Sequence, residues 1–262
     1  MLDYLLVAGV ALLASGLTLF SGFGLGTLLM PVLALLFPLP VAIAATAVVH
    51  LANNLFKLAL VGRHANWYIV ARFGVAAGIA AIAGAWSMGF LAGMPLVASY
   101  EFLGTERDIV ALKLVIGLLI VTFALLELSP RISAMSFPAR YLVPGGLLSG
   151  FFGGLSGNQG ALRAAFLIRA GLSKHGFVGT SVVCAIIVDT IRILMYGFAF
   201  LAVGPASLYR DVAPMVAVAI LSAFLGAWIG VRLLDKVTLR FLQLIVATMM
   251  IIIGIALATG IL

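Results

Sequence analysis

Long apolar runs separated by short polar connections set the pattern of this chain. Residues 69–92, 109–126, 212–231 and 241–262 are almost unbroken apolar stretches, each near the ~20 residues a helix needs to cross a bilayer. The run 41–61 is also apolar, but it carries Thr46, His50, Asn53 and Lys57 at spacings of 4, 3 and 4. Those spacings put the four on one helical face, with Asn54 beside it. Helix 176–202 carries Thr180, Ser181, Asp189 and Arg192 in a similar way. Two stretches interrupt the pattern: "SGFGLG" at 21–26 and "FGGLSGNQGALR" at 152–163. Their glycines break a helix, and the second adds Ser156, Asn158, Gln159 and Arg163 between apolar flanks.

Composition makes the membrane reading firm. The chain of 262 residues is 65% hydrophobic and 9% charged, against roughly 25% charged residues in a soluble domain. That leaves too little polar surface to enclose a water-soluble core. The fold class is therefore all-α, a polytopic integral membrane protein in a single transmembrane domain spanning 1–262. The N-terminal stretch "MLDYLLVAGVALLASG" lacks a basic leading region and reads as structural rather than as a cleaved signal. Cys184 is the single cysteine, which excludes an intrachain disulfide or a thiolate metal cluster. The sequence points to no metal site and no cofactor.

Charge then fixes a topology. The net charge of +7 comes from basic residues concentrated in short connections: Arg63 and Arg72, Arg131 and Arg140, Arg169 and Lys174, and Arg232, Lys236 and Arg240. The connections 93–108 and 203–211 hold one arginine each, Arg107 and Arg210, beside Glu101, Glu106, Asp108 and Asp211. This is the positive-inside bias of a membrane protein, not a nucleic-acid patch. Helix 41–61 is expected to run inward and 69–92 outward, with 109–126 returning. The connections at 127–140 and 169–175 are both basic, so segment 139–170 must begin and end on one side. It is expected to be a hairpin or re-entrant element turning at 157–160. Both chain termini are then external. Trp67 and Tyr68 suit interfacial anchors.

A shift of 134 residues aligns Ser15-Gly16 with Ser149-Gly150, Gly26 with Gly160 and Thr46 with Thr180. Two repeats are expected, about 1–128 and about 135–262, each with a glycine-broken hairpin and three transmembrane helices. An odd number of crossings inverts the second repeat relative to the first. Paired broken elements in inverted repeats are a recurrent plan of secondary transporters, with the substrate near the midplane.

The candidate site follows. Charges at membrane depth are costly, and they face a cavity, pair, or serve function. Backbone N–H groups at Gly157 and Gly160, with Asn158, Gln159 and Arg163, suit a small anion. Lys57 adds charge, unless it reaches out to the interface. Asn53, Asn54, Thr46 and Thr180 supply polar lining, and Gly24 and Gly26 form the counterpart break. His50 and Asp189 are candidate carriers of a coupling proton, and Asp189 with Arg192 also fits a structural ion pair. Cys184 fits packing. No protease or nucleotide-binding motif is present, so the chain is not expected to be an enzyme. A passive anion channel and an intramembrane hydrolase using Ser156 and His50 are the alternative readings.

The chain resembles the TauE/SafE family of sulfite-exporter-like and toluenesulfonate-uptake membrane proteins. The resemblance rests on "GLTLFSGFGLGTLLMPVLALLFPLPVAIAATAVVHLANNLFK" and on "GGLLSGFFGGLSGNQGALRAAFLIRAGLSKHGFVGTSVVCAIIVDTIRILMYG". It implies transport of sulfite, sulfonates or similar anions across the bacterial cytoplasmic membrane, with alternating access as the expected mechanism. The expected partners are the small anion and the lipid bilayer, without nucleic acid, and a homo-oligomer is compatible with the sequence. Two departures bear on specificity: Gly24-Leu25-Gly26 stands where the family often has a glycine run, and Asn158-Gln159 precede Gly160.

Overall fold

The computed structural model describes residues 1–21, 25–129, 137–201, 206–233 and 239–262. Gly24, Arg131 and Lys236 lie outside them. The chain order is α1 (Leu2–Ser21), α2 (Leu25–Ala34), α3 (Leu39–Val61), α4 (Trp67–Ala92), β1 (Leu96–Phe102) and β2 (Thr105–Val110). There follow α5 (Ala111–Leu128), α6 (Leu142–Ser156), α7 (Gly160–Leu167), α8 (Lys174–Leu201), α9 (Ala206–Leu233) and α10 (Leu239–Ala258). Spans Leu39–His64, Trp67–Ala92, Lys174–Gly197 and Arg210–Arg232 are each long and apolar enough to cross a membrane.

Local chemistry explains the helix boundaries that matter. Pro38 precedes α3 and Pro40 occupies its first turn, where a missing N–H costs nothing. The Asn66 side chain accepts from the Tyr68 and Ile69 N–H groups at 3.1 and 3.2 Å and so caps α4. One wide turn at Val70–Gly74 has π geometry, where the sequence suggested an even helix. Helix α6 ends at Gly157, whose φ of +80° is left-handed, a conformation an L side chain resists.

The break at 157–159 is a turn between two short helices. The 15 residues of α6 and the 8 of α7 reach only about 22 and 12 Å at 1.5 Å per residue. Neither spans the ≈30 Å apolar core. The hairpin comes back to where it started: the Phe137 N–H donates to the Ala165 carbonyl at 3.3 Å. The Phe137 and Phe166 rings also stack at 4.4 Å. The loop after α3 reaches the start of α8 on that side, with the His64 and His175 rings 5.3 Å apart. The basic connection after α3 therefore meets the one before α8.

Helices pair across the two halves of the chain: α1 with α9, α6 with α4, α3 with α8, and α5 with α10. Small residues permit the close approaches. On α6, a Cβ at Gly146, Gly150 or Gly154 would fall 2.0–2.3 Å from the carbonyl oxygens of Phe73, Ala77 and Ala81. Spacing by four residues keeps these glycines on one face of α6. Gly226 of α9 sits as close to the Leu12 carbonyl, and Gly117 of α5 meets Gly254 of α10. The buried apolar core lies among these pairs, with Val7, Leu29, Met30, Ile116, Ile120 and Met250 at its centre.

One element departs from the helical pattern. The connection expected to be a polar loop, 93–108, folds largely as the antiparallel β1–β2 hairpin, turning at Leu103 and Gly104 with φ of 51° and 73°. The Tyr100 hydroxyl donates to the Thr259 carbonyl at 2.7 Å, and Arg107 donates to the Ile261 carbonyl at 3.3 Å. The hairpin thus holds the end of α10. Tyr100→Phe is expected to lower stability by about 1 kcal/mol, the worth of one ordinary hydrogen bond, read as a shift in the thermal midpoint.

Candidate functional site

The polar face of α3 meets the polar face of α8 deep in the protein. His50 Nδ1 lies 2.6 Å from Asp189 Oδ2, and Asn54 Nδ2 donates to the same oxygen at 2.9 Å. The geometry puts a proton on His50 Nδ1, because its neighbour is an acceptor. Asn54 Nδ2 also sits 3.1 Å from that nitrogen, a contact between two donors that the shared carboxylate holds together. Arg192 Nη2 stands 3.1 Å from Asp189 Oδ1, an ion pair along α8. Asp189 therefore carries a histidine, an amide and a guanidinium from two helices at once. Both candidate roles, ion pair and proton relay, converge on this one carboxylate.

A second cluster lies one turn further along α3. Lys57 is 2% exposed, so its amine is turned inward rather than reaching to the interface. It donates to the Ser15 carbonyl at 3.3 Å. The Asn53 amide is satisfied with its oxygen 3.1 Å from Lys57 Nζ and its nitrogen 3.2 Å from the Ala223 carbonyl. In that orientation Ser15 Oγ lies 3.0 Å from the Asn53 oxygen. Lys57 thus ties α1 to α3, and Asn53 ties both to α9. No carboxylate lies within ion-pair distance of Lys57 among the described residues.

The two breaks touch. A Cβ on Gly26 would stand 3.5 Å from the Gly157 carbonyl oxygen. A Cβ on Gly157 would collide with Arg192 Nη1 at 2.2 Å. Glycine at 157 is therefore required twice, by its positive φ and by the guanidinium packed on its α-carbon. That contact joins the turn 157–159 to the Asp189 cluster. Arg163, on α7, is 4% exposed.

The backbone of the turn differs from expectation. The N–H of Gly157 donates to the Gly153 carbonyl at 2.9 Å, and that of Gln159 to the Gly157 carbonyl at 3.1 Å. The Asn158 N–H donates to Ser156 Oγ at 3.3 Å. These three amides are engaged inside the turn, so they do not face a ligand. The donors that remain are side chains and the first turn of α7 from Gly160, whose N–H groups have no intrahelical partner. The side chains of Asn158 and Gln159 are 4% and 2% exposed.

Other expected lining residues fall differently. Thr46 is buried one turn before His50, and its hydroxyl has no partner among the described residues. Thr180 lies near the start of α8, where its hydroxyl accepts from the Asn66 N–H at 2.9 Å. It serves the cap of α4 rather than the cluster at Asp189. Cys184 is fully buried beside Gly74 and packs there. Gly24 lies outside the described residues.

A family model described as "Sulfite exporter TauE/SafE" matches residues 7–257, and so takes in the 157–159 turn and both polar helices. The chain belongs to this family. As a member of a family of membrane transporters, it is a multi-pass membrane transport protein. No curated protein and no solved structure matches it.

Three site residues escaped the sequence reading. Ser15 and Ser149 had been paired by the repeat alignment without a role. Ser149 Oγ donates to the Gln159 carbonyl at 3.1 Å, and Ser15 holds the Lys57 cluster. The shared Ser-Gly dipeptide was the available signal. Tyr196 donates its hydroxyl to the Gly154 carbonyl, fixing α8 to the end of α6, and nothing in its local sequence marks that contact.

Proposed function

We propose that this TauE/SafE member is a secondary transporter that moves small sulfur-containing anions, such as sulfite or sulfonates, by alternating access. The observation that carries this reading is the charge of the buried site. Lys57, Arg163 and Arg192 are buried with a single buried carboxylate, Asp189, among the described residues. Buried positive charge is costly, and an anion entering beside these side chains offsets part of that cost. Sulfonate and sulfite oxygens suit the planar donor fork of arginine. Gly157, Asn158, Gln159, Gly160 and Arg163 would form one wall, with Asn53, Asn54, Lys57 and Thr46 opposite and Gly26 below.

Inverted repeats, about 1–128 and about 135–262 in one domain, are supported by the reciprocal pairing of α1 with α9 and α6 with α4. Under the 134-residue shift these are equivalent contacts, while α3–α8 and α5–α10 pair equivalents with each other. Two such halves rocking about touching breaks would give alternating access. His50 and Asp189, at mid-length of α3 and α8, are the proposed carriers of a coupling proton. The basic loops are placed in the bacterial cytoplasm and both termini outside.

Proteoliposomes test this. Arg163→Ala and Asn158→Ala are each expected to cut sulfite or sulfonate uptake about 10-fold or more, the scale of a lost charge-assisted hydrogen bond. Both variants should elute as folded protein. Wild-type flux from both would remove the site assignment. Saturation with counterflow distinguishes a carrier from a channel.

A further inference from the structure

Asn158 presents both halves of its amide unmet. Neither Nδ2 nor Oδ1 has a hydrogen-bond partner among the described residues, although the residue is 4% exposed. The choice of which atom is nitrogen does not change this, because one donor and one acceptor remain in either orientation. Gln159 Nε2 and Arg192 Nε are further buried donors without hydrogen-bond partners, while Arg192 Nη2 and Asp189 Oδ1 are taken up by their mutual ion pair at 3.1 Å. Arg192 rests against Gly157, next in sequence to Asn158. The region therefore offers several donors and a smaller number of acceptors.

A ligand built only of acceptors meets half of this pattern. Sulfite or a plain alkylsulfonate answers Asn158 Nδ2, Gln159 and Arg192 with its oxygens. It leaves Asn158 Oδ1 buried and unpaired, which costs the full desolvation of that group. A donor on the ligand removes that cost. An ammonium is the poorer donor here, because it adds positive charge beside Lys57, Arg163 and Arg192. A neutral hydroxyl has no such conflict.

We propose that the anion favoured by this site carries its own hydroxyl a short distance from its charged head, as a hydroxyalkylsulfonate does, and that Asn158 reads that hydroxyl. This rests on the anion-transport reading above and narrows it to a substrate class. Sites built to pair a substrate hydroxyl discriminate strongly against analogues that lack it, because their own polar group is then left unpaired.

The experiment is titration calorimetry on the purified full-length protein. The probes are 2-hydroxyethanesulfonate, ethanesulfonate, 2-methoxyethanesulfonate, 2-aminoethanesulfonate and sulfite. The hydroxyl compound is expected to bind about tenfold or more tighter than the ethane and methoxy compounds. The amino compound should bind more weakly than the hydroxyl one. In Asn158→Leu, the ratio of hydroxyl to ethane affinity should fall toward one. If that variant does not fold, the wild-type comparison with the methoxy ether, which keeps the oxygen and loses the donor, decides alone. Equal wild-type affinities for the hydroxyl and ethane compounds overturn the proposal while leaving the anion site standing. If none of the probes binds, the anion reading fails and this one with it.

Discussion

Asp189→Ala is expected to destabilise the protein by about 3–5 kcal/mol and to abolish solute flux. The reason lies in what the carboxylate holds. His50 and Asn54 of α3 both reach Asp189 Oδ2, at 2.6 and 2.9 Å, and Arg192 stands 3.1 Å from Oδ1. Removing one carboxylate leaves a buried guanidinium without its counter-ion and strips the main polar tie between α3 and α8. Thermal unfolding in detergent measures the first effect and proteoliposome uptake the second. The double variant Asp189→Ala/Arg192→Met separates them, since it removes both charges together. It should recover much of the stability without recovering flux. Recovery of both would reduce the cluster to a structural ion pair, and an unfolding midpoint unchanged in Asp189→Ala would sink the argument outright.

A second large effect is expected at Gly150. A Cβ there would stand 2.0 Å from the Ala77 carbonyl oxygen and 2.5 Å from its carbon. Those are backbone atoms of α4, which cannot rotate aside as a side chain can. Gly150→Ala is expected to cost about 1–3 kcal/mol, and Gly150→Val to leave little folded protein. Gly89 is the matched control, also helical and on α4, with no atom within 4 Å of its Cβ position. Gly89→Ala should be neutral or stabilising by up to about 1 kcal/mol, the helix propensity gain alone. Equal thermal midpoints for Gly150→Ala and Gly89→Ala would show that α4 and α6 can separate freely.

How far the sequence reached depended on the range of each signal. The polar face of α3 was legible because the spacing of Thr46, His50, Asn53 and Lys57 is a local helical period. The turn at 157–159 was legible because its glycines and the matching basic charge of its two flanking connections are local signals too. Which partner each polar residue takes was not. Asn53 and Asn54 are adjacent, yet one serves Lys57 and α9 while the other serves Asp189 on α8. Those pairings depend on how distant helices cross, and no period records that. The engaged amides of Gly157, Asn158 and Gln159 were missed for a different reason, since a glycine-rich turn can either present its N–H groups or close on itself. The β1–β2 hairpin left a faint trace in the alternation of Leu96, Ala98, Tyr100 and Phe102 before Leu103-Gly104. The apolar ends of α4 and α5 on either side obscured it.

The helix pairing also sets an order of events at the ribosome. When α6 emerges, α4 is already made, so the glycine face of the second hairpin has its partner at once. Helix α1 has no such partner yet: Gly16 and Leu12 wait for Gly226 of α9, almost the last helix of the chain. At about 5–20 residues per second, that wait is on the order of ten seconds or more. Through that interval α1, with the partly built lysine cluster at its side, sits in lipid or is held by the insertion machinery. The nascent chain is therefore most exposed to misassembly and degradation early, at α1, although in the finished protein α1 packs on α9 as closely as α6 does on α4.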